Sequence, residues 1–305
     1  MIRANPLEEP ENKENIQQKS KSSLSFPTQR CFGTDLTKPI SQSSQQSSND
    51  PQLLDYYSEE IYEYLKSIES HHKAKYGYMK QQTDISEKMR SVLIDWLVEV
   101  HFRFKLASET LFLAVNIIDR YLEKTPICRS RLQLIGVSAL LIASKYEDIY
   151  PPETRDLVYI TDKAYTKEEI LQTEAVILKV LEYNITVPSA FRFLERYSRL
   201  AGCCEQQFAL ASYLQELALI DYNMLKYPNS MNAAASLYLM FKIKEVKPEW
   251  TEELKKASGY LEEQIKPCAK EMCLLFQNAS RSSLKGVKTK FSSAQYFHVA
   301  NTTLL

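Results

Sequence analysis

Met89-Arg90-Ser91-Val92-Leu93-Ile94-Asp95-Trp96-Leu97-Val98-Glu99-Val100 is the stretch on which the fold turns. At 3.6 residues per helical turn, Met89, Val92, Leu93, Trp96 and Val100 share one broad stripe. Asp95 and Glu99 stand one turn apart on its edge. Ile94, Leu97 and Val98 spread over the other faces, so the helix is apolar over most of its girth. Such a helix belongs at the centre of a bundle. Arg90 lies on the side of Ile94 and Leu97, where an unpaired guanidinium is costly. Asp119, in Ile117-Ile118-Asp119-Arg120, is the candidate partner for a structural ion pair. The stripe itself admits two readings. It is ordinary core, or it is an exposed apolar groove with carboxylates beside it, suited to a peptide offering Arg or Lys near Leu. Paired catalytic carboxylates of the glycosidase kind fit poorly, because nothing nearby suggests a sugar cleft.

Working outward, three-four spacing of apolar residues is almost continuous from Leu53. Leu53, Tyr57, Ile61, Tyr64 and Leu65 predict a first helix. A polar connector follows, ending in Asp84 and Glu87 at capping-box separation. Helices are then expected over 87–103, 108–123, 129–147, 153–160 and 166–181. Thr166 and Glu169 repeat the capping-box spacing, and Pro151-Pro152 separates two of these helices. After Val187-Pro188 the pattern restarts, with Ser189 as the cap of a helix that stops at Gly202. Further helices fit 205–222, 229–242, 250–256 and 260–278, with Ser258-Gly259 as the last break. Each half has a central helix rich in small residues, Gly136, Ala139 and Ala143 in one and Ala233, Ala234 and Ala235 in the other. About 230 ordered residues fit two helical domains better than one.

Composition narrows the function classes. The chain of 305 residues has only 6 glycines, where average usage supplies roughly 20. They are too scattered for a dinucleotide fingerprint or a P-loop. Thirty-eight basic residues balance 38 acidic ones, so no global basic field draws the chain to nucleic acid or to an anionic membrane. The longest nearly apolar run, 134–143, is too short to span a bilayer. No apolar signal segment opens the chain. Six cysteines without a CxxC pair predict reduced thiols rather than disulfides or a metal site. The histidines (His71, His72, His101 and His298) form no catalytic pattern, and no cofactor is expected. Residues 1–50 hold only 11 apolar side chains, and 41–48 are all Ser and Gln. Such a segment predicts a disordered tail.

The segment Met89 to Glu99 resembles the signature helix of the cyclin box. The resemblance continues through Leu132-Gln133-Leu134, through Ala143-Ser144-Lys145-Tyr146-Glu147-Asp148-Ile149-Tyr150-Pro151-Pro152-Glu153, through Tyr159-Ile160-Thr161-Asp162 and Tyr165-Thr166-Lys167, and to Glu174. It covers about residues 53 to 290. Within the family the chain is similar to mitotic A- and B-type cyclins. Leu219-Ile220-Asp221-Tyr222-Asn223-Met224 and Phe102-Arg103-Phe104-Lys105-Leu106 lean towards the B type, and Glu99 towards the A type.

The resemblance implies an all-α fold of two tandem five-helix cyclin-box domains, preceded by an N-terminal helix and a disordered tail. The expected divisions are 1–50 for the tail, 51–85 for the helix and connector, 86–187 and 188–290 for the boxes, and 291–305 for a C-terminal tail. It implies a non-catalytic subunit that binds a cyclin-dependent protein kinase and holds its αC helix inward, acting at the G2/M transition in nucleus and cytoplasm. By residue, the family's kinase contacts correspond to Lys145, Glu174, Tyr146 and Tyr183, with Tyr57 and Ile61 on the first helix. Its groove for substrates and inhibitors with an Arg/Lys-x-Leu element corresponds to Met89, Val92, Leu93, Trp96, Leu132 and Gln133, with Asp95 and Glu99 as acidic partners. In the tail, Lys13-Glu14-Asn15 resembles the degron read by the anaphase-promoting ubiquitin ligase. Arg30 to Leu36 resembles a destruction box with Gly33 where leucine should stand. General transcription factors with paired cyclin-like boxes are a poor alternative, since they use basic surfaces and a zinc ribbon.

Overall fold

The computed structural model describes residues 57–302 of the chain, and the regular elements among them are all helical. A leading helix α1 (Ser58–Ile68) precedes five helices, α2 (Glu87–Phe104), α3 (Ser108–Lys124), α4 (Leu132–Glu147), α5 (Thr154–Ile160) and α6 (Lys167–Val180). Five more follow, α7 (Ala190–Leu200), α8 (Glu205–Ile220), α9 (Asn229–Ile243), α10 (Glu252–Ser258) and α11 (Glu262–Asn278). A short α12 (Gly286–Phe291) closes the helical series.

Local chemistry sets the boundaries. Thr166 and Glu169 form the expected capping box on α6, and the Ser189 side chain accepts from the Arg192 N–H to start α7. Gly259 stops α10 in the left-handed region at φ +69°, which glycine adopts without steric cost. Other boundaries differ from expectation. Asp84 does not cap α2; Ser86 does, accepting from the Met89 N–H at 3.4 Å. The Asp84 carboxylate is taken instead by Arg129, through its backbone N–H at 2.8 Å and its Nε at 2.9 Å. That contact belongs to a 3-10 turn over Arg129–Arg131, so α4 begins at Leu132 rather than at 129.

The small-residue helices are the axes of the two sets. On α4 every residue from Leu134 to Ser144 is buried, and on α9 Ala233, Ala234 and Ala235 are wholly so. Gly136 shows why one axial residue is glycine. A Cβ there would stand 2.7 Å from Leu93 Cδ1 of α2, inside normal contact distance. The girth-wide apolar pattern of α2 has an equally direct cause, because the helix serves two cores. Leu93, Leu97 and Val100 face the cluster built on α3 and α4. Ile94 and Val98 join the cluster built on α8, α9 and α11.

Arg90 lies between those cores, 1% exposed. Its Nε and Nη2 donate to the two carboxylate oxygens of Asp119 at 2.6 and 2.7 Å. Its Nη1 donates to the Ile220 carbonyl at 3.1 Å, at the end of α8. Tyr78 donates its hydroxyl to Asp119 Oδ1 at 2.8 Å. The pair therefore ties α2, α3 and the end of α8 together.

The sequence pattern predicts no helix over 286–291. α12 nevertheless crosses the anticipated division at 290/291 and packs along α2. Its Val287 and Phe291, one turn apart, are buried in the second core. The residues after it stay attached, with Val299 and Ala300 in the same core.

Two measurements check this account. Asp119→Ala leaves the Arg90 guanidinium buried without its carboxylate and is expected to cost about 3–5 kcal/mol by urea denaturation; a loss below about 1 kcal/mol would show that the pair is dispensable. His101 supplies the second. Burial pushes its imidazole down from the ordinary 6.5 to about 3, helped by the Lys290 ammonium and opposed by the Ala107 carbonyl that accepts from Nε2. A depressed folded value favours the neutral ring, so this stability is complete above pH 6.5 and declines as pH falls towards 3. At pH 5 the loss should be about 2 kcal/mol. His101→Gln should flatten that part of the pH profile, and an unchanged profile would refute the assignment.

Candidate functional site

The last turn of α4 carries Lys145, a position where the helix dipole favours a cation. Its ammonium donates to both Glu174 oxygens, from the middle of α6, at 2.7 and 2.9 Å. The lysine is half-exposed, and an exposed pair contributes little to stability. Exposed apolar side chains stand on the segments that adjoin it. Tyr146 is 47% exposed, Ile149 66%, Tyr150 72% and Tyr183 70%, and Val176 on α6 is also exposed. The Tyr146 hydroxyl shares a 2.6 Å hydrogen bond with the Thr186 hydroxyl. Glu182 and Tyr183 both adopt positive φ, 54° and 58°. This backbone is sparsely populated by non-glycine residues, and it leads out of α6 where the Tyr183 ring is exposed.

Ile61 and Tyr64 of α1 and Tyr57 just before it belong to a separate face, and all three are exposed. That face is left outward because the other side of α1 docks on the second set of helices. Glu69 accepts from the Ser230 N–H at 3.0 Å and from its hydroxyl at 2.6 Å, and the Tyr62 ring lies 6.1 Å from Phe193. Lys73 donates to the Tyr227 carbonyl just beyond α1. Sequence reasoning missed Ile149, Tyr150, Val176 and Tyr64 as exposed apolar residues. For Ile149 and Tyr150 a signal was present, since two large apolar residues stand in the loop before Pro151-Pro152, outside any helical stripe.

On α2, Met89, Val92 and Trp96 are half-buried, and Met89 and Trp96 pack against the first core. Leu93 and Leu132 are buried, so they belong to the floor beneath the stripe. Gln133, on the first turn of α4, is half-buried. The sequence reading assigns Asp95 and Glu99 one role, and the structure separates them. Asp95 is 9% exposed. Its Oδ2 accepts from the Lys285 N–H at 3.0 Å and its Oδ1 from the Gly286 N–H at 2.9 Å. Burial raises the Asp95 carboxyl above its ordinary value, against the pull of the Gly286, Lys285 and Val287 N–H groups. Asp95 is thus not a free partner for a basic peptide, because its carboxylate is spent on the chain itself. Glu99 stays exposed, raised by burial of its stem and by the charge of Asp95.

The Lys145 surface and the α2 stripe have the chemistry of recognition: apolar rings and aliphatic side chains flanked by one or two charges. Among the described residues no group of His, Cys, Asp and Glu could hold a metal ion, and no helix is long and apolar enough to cross a membrane. Lys13-Glu14-Asn15 and the segment from Arg30 lie outside the described residues.

Comparison with known proteins agrees with this architecture. Residues 60–186 match the model for the cyclin N-terminal domain, and 188–304 match that for the cyclin C-terminal domain. The chain is 41% identical over 275 residues to the G2/mitotic-specific cyclin-B of Marthasterias glacialis, covering 90% of this chain and 71% of that one. It is 42% identical over 255 residues to the cyclin-B of Spisula solidissima, covering 84% and 59%. Human cyclin-A1 matches at 42% over 245 residues, covering 80% and 52%. The chain therefore spans only about half to seven-tenths of the length of these relatives. A viral cyclin of herpesvirus saimiri shares the fold at a TM-score of 0.64 and 24% identity, over 70% of this chain and 96% of that one. With both domain models matched in order, and relatives above 40% identity along most of its length, the chain belongs to the cyclin family, whose members are non-catalytic regulatory subunits of kinases.

Proposed function

We propose that this chain is the regulatory subunit of a cyclin-dependent protein kinase acting at the G2/M transition, that it activates the kinase, and that it brings substrates to it. The observation that carries this reading is the patch around Lys145 and Glu174. A monomer gains nothing by exposing Tyr146, Ile149, Tyr150 and Tyr183 together, and such patches mark interaction sites. The charge pair at its centre fixes the register of a partner rather than supplying affinity. The kinase itself performs the phosphoryl transfer, and the cyclin holds the kinase's αC helix and activation segment in place. Tyr57 and Ile61 extend the same contact along α1.

Substrate docking belongs to the Met89/Val92/Trp96 stripe, with Leu93 and Leu132 beneath it and Gln133 at one end. A peptide leucine enters between apolar side chains while its Arg or Lys meets Glu99. Because the stripe lies on helices fixed by two cores, binding needs little rearrangement. Lys13-Glu14-Asn15 serves as the signal for the anaphase-promoting ubiquitin ligase, and the complex works in nucleus and cytoplasm.

Charge reversal tests the kinase contact. The double substitution Lys145→Glu with Glu174→Lys preserves an internal ion pair while inverting what a partner meets. Pull-down of the kinase should fall at least tenfold, a change of about 1.4 kcal/mol, with helical content by circular dichroism unchanged. Undiminished binding would sink the reading. Trp96→Ala tests the groove: KM should rise about tenfold for substrates bearing Arg/Lys-x-Leu, with kinase affinity and turnover of a short peptide lacking the element unaltered. Equal losses on both substrates would point to damaged folding instead.

A further inference from the structure

Helix α12 belongs to neither five-helix set, yet it lies against the helix that carries the docking stripe. It is anchored at both ends. At its start, the Lys285 and Gly286 N–H groups donate to the Asp95 carboxylate at 3.0 and 2.9 Å. At its end, Lys290 is drawn into the second core, 2.5 Å from Glu216 Oε1, with both side chains at most 2% exposed. Its ammonium also lies 5.3 and 5.6 Å from the ring centroids of Phe291 and Tyr296. The Tyr296 ring in turn stands 6.3 Å from Phe102 of α2.

The approach of α12 to α2 depends on a missing side chain. A Cβ on Gly286 would lie 2.5 Å from the Asp95 carbonyl oxygen, 3.0 Å from Asp95 Oδ1 and 3.2 Å from Glu99 Cγ. The first of these is a backbone atom and cannot rotate away, so any larger residue must push the two helices apart. Glycine is a poor helix former, and its use at the first position of α12 is explained by this close approach. The same contact reaches Glu99, the exposed carboxylate of the groove, whose Cγ packs directly over the glycine.

We propose that Gly286 is a positioning residue for substrate docking: its bare Cα lets α12 seat against α2, and that seat holds Asp95 inward and sets where Glu99 presents its charge to a basic docking peptide. This inference rests on the reading of the Met89/Trp96 stripe as the docking groove. With α12 seated, Asp95 is occupied by two backbone donors and Glu99 alone faces the peptide's Arg or Lys. With α12 displaced, Asp95 loses both donors and Glu99 loses the surface that supports its stem. A residue nearly two hundred positions downstream of the signature helix therefore governs that helix's acidic rim.

The test uses the full-length chain in complex with its kinase. Binding of a fluorescently labelled peptide containing Arg-x-Leu is measured by anisotropy, beside a control peptide with alanine replacing the arginine. Phosphorylation is followed on one substrate with the element and one short peptide without it. For Gly286→Ala, the Kd of the Arg-x-Leu peptide should rise about tenfold. KM for the docking substrate should rise in step, with kcat and the short-peptide rate unchanged. Phe102→Ala loosens the far side of the strap without adding an atom at the junction, and should shift Kd in the same direction by a smaller factor. If the unaltered chain fails to discriminate the two labelled peptides, the groove reading itself is wrong. If it discriminates them and Gly286→Ala binds within about twofold of it, the positioning role is overturned. Loss of both phosphorylation activities in Gly286→Ala, with Phe102→Ala equal to the unaltered chain, overturns it as well.

Discussion

The bidentate contact between Arg90 and Asp119 is the constraint around which the rest of the molecule is arranged. A guanidinium 1% exposed has no water to fall back on, so its donors must be met by protein. Asp119 takes two of them, and the Ile220 carbonyl takes another. The fork geometry of arginine tolerates little displacement. One register of α2 against α3 satisfies it, and one placement of the end of α8 completes it. Buried pairs of this kind add little net stability over a hydrophobic substitute, but breaking one is expensive. In this protein the pair therefore acts less as a source of stability than as a gauge, admitting one arrangement of the first set of helices with the second.

That gauge makes the unusual composition of α2 intelligible. A helix on the rim of a bundle needs one apolar face, and α2 needs two, because Leu93 and Leu97 belong to one core while Ile94 and Val98 belong to the other. Only a narrow strip remains for anything else, and that strip carries Met89, Val92, Trp96 and Glu99. Both flanks of the strip are fixed by packing, which is the condition for a preformed recognition surface. The price of the arrangement is borne by the small residues. Gly136 admits Leu93 on one side of α2, and Gly286 admits the backbone of Asp95 on another. Two of six glycines thus serve the environment of a single helix.

Much of this was legible in the sequence, and for physical reasons. Long amphipathic helices announce themselves by period, small-residue axes by composition, and caps such as Thr166 and Ser189 by side-chain type. The Arg90–Asp119 contact was legible because a charge on an apolar face has few escapes. What escaped notice shares a different property. α12 is six residues long, too short to be stable by its own propensity, and it exists because Asp95, Glu216 and the second core hold it. Asp84 departs from the capping pattern for the same kind of reason: its competitor Arg129 lies 45 residues away, beyond the reach of such a pattern. The kinase-facing roles proposed for Lys145 and Glu174 rest on family resemblance and are not legible from pattern at all. On periodicity alone each is a solvated charge, and their 29-residue separation conceals that α4 and α6 bring them into contact.

Burial then decides what each ion pair is able to do. Arg90–Asp119 and Lys290–Glu216 are sealed, with side chains at most 3% exposed, so neither can exchange partners without leaving a charge stranded in the core. Lys145–Glu174 has the same chemistry at a half-exposed lysine, and there the internal bond is worth at most about 1 kcal/mol. Water screens it, and an incoming charge replaces it at little cost. An exposed pair of that kind keeps both groups ordered and pre-aligned while leaving them available, which lowers the entropy lost when a partner arrives. A neutral chain, 38 charges of each sign, thus divides its ion pairs by depth. The buried ones fix the architecture, and the shallow one among the exposed tyrosines stays open to solvent.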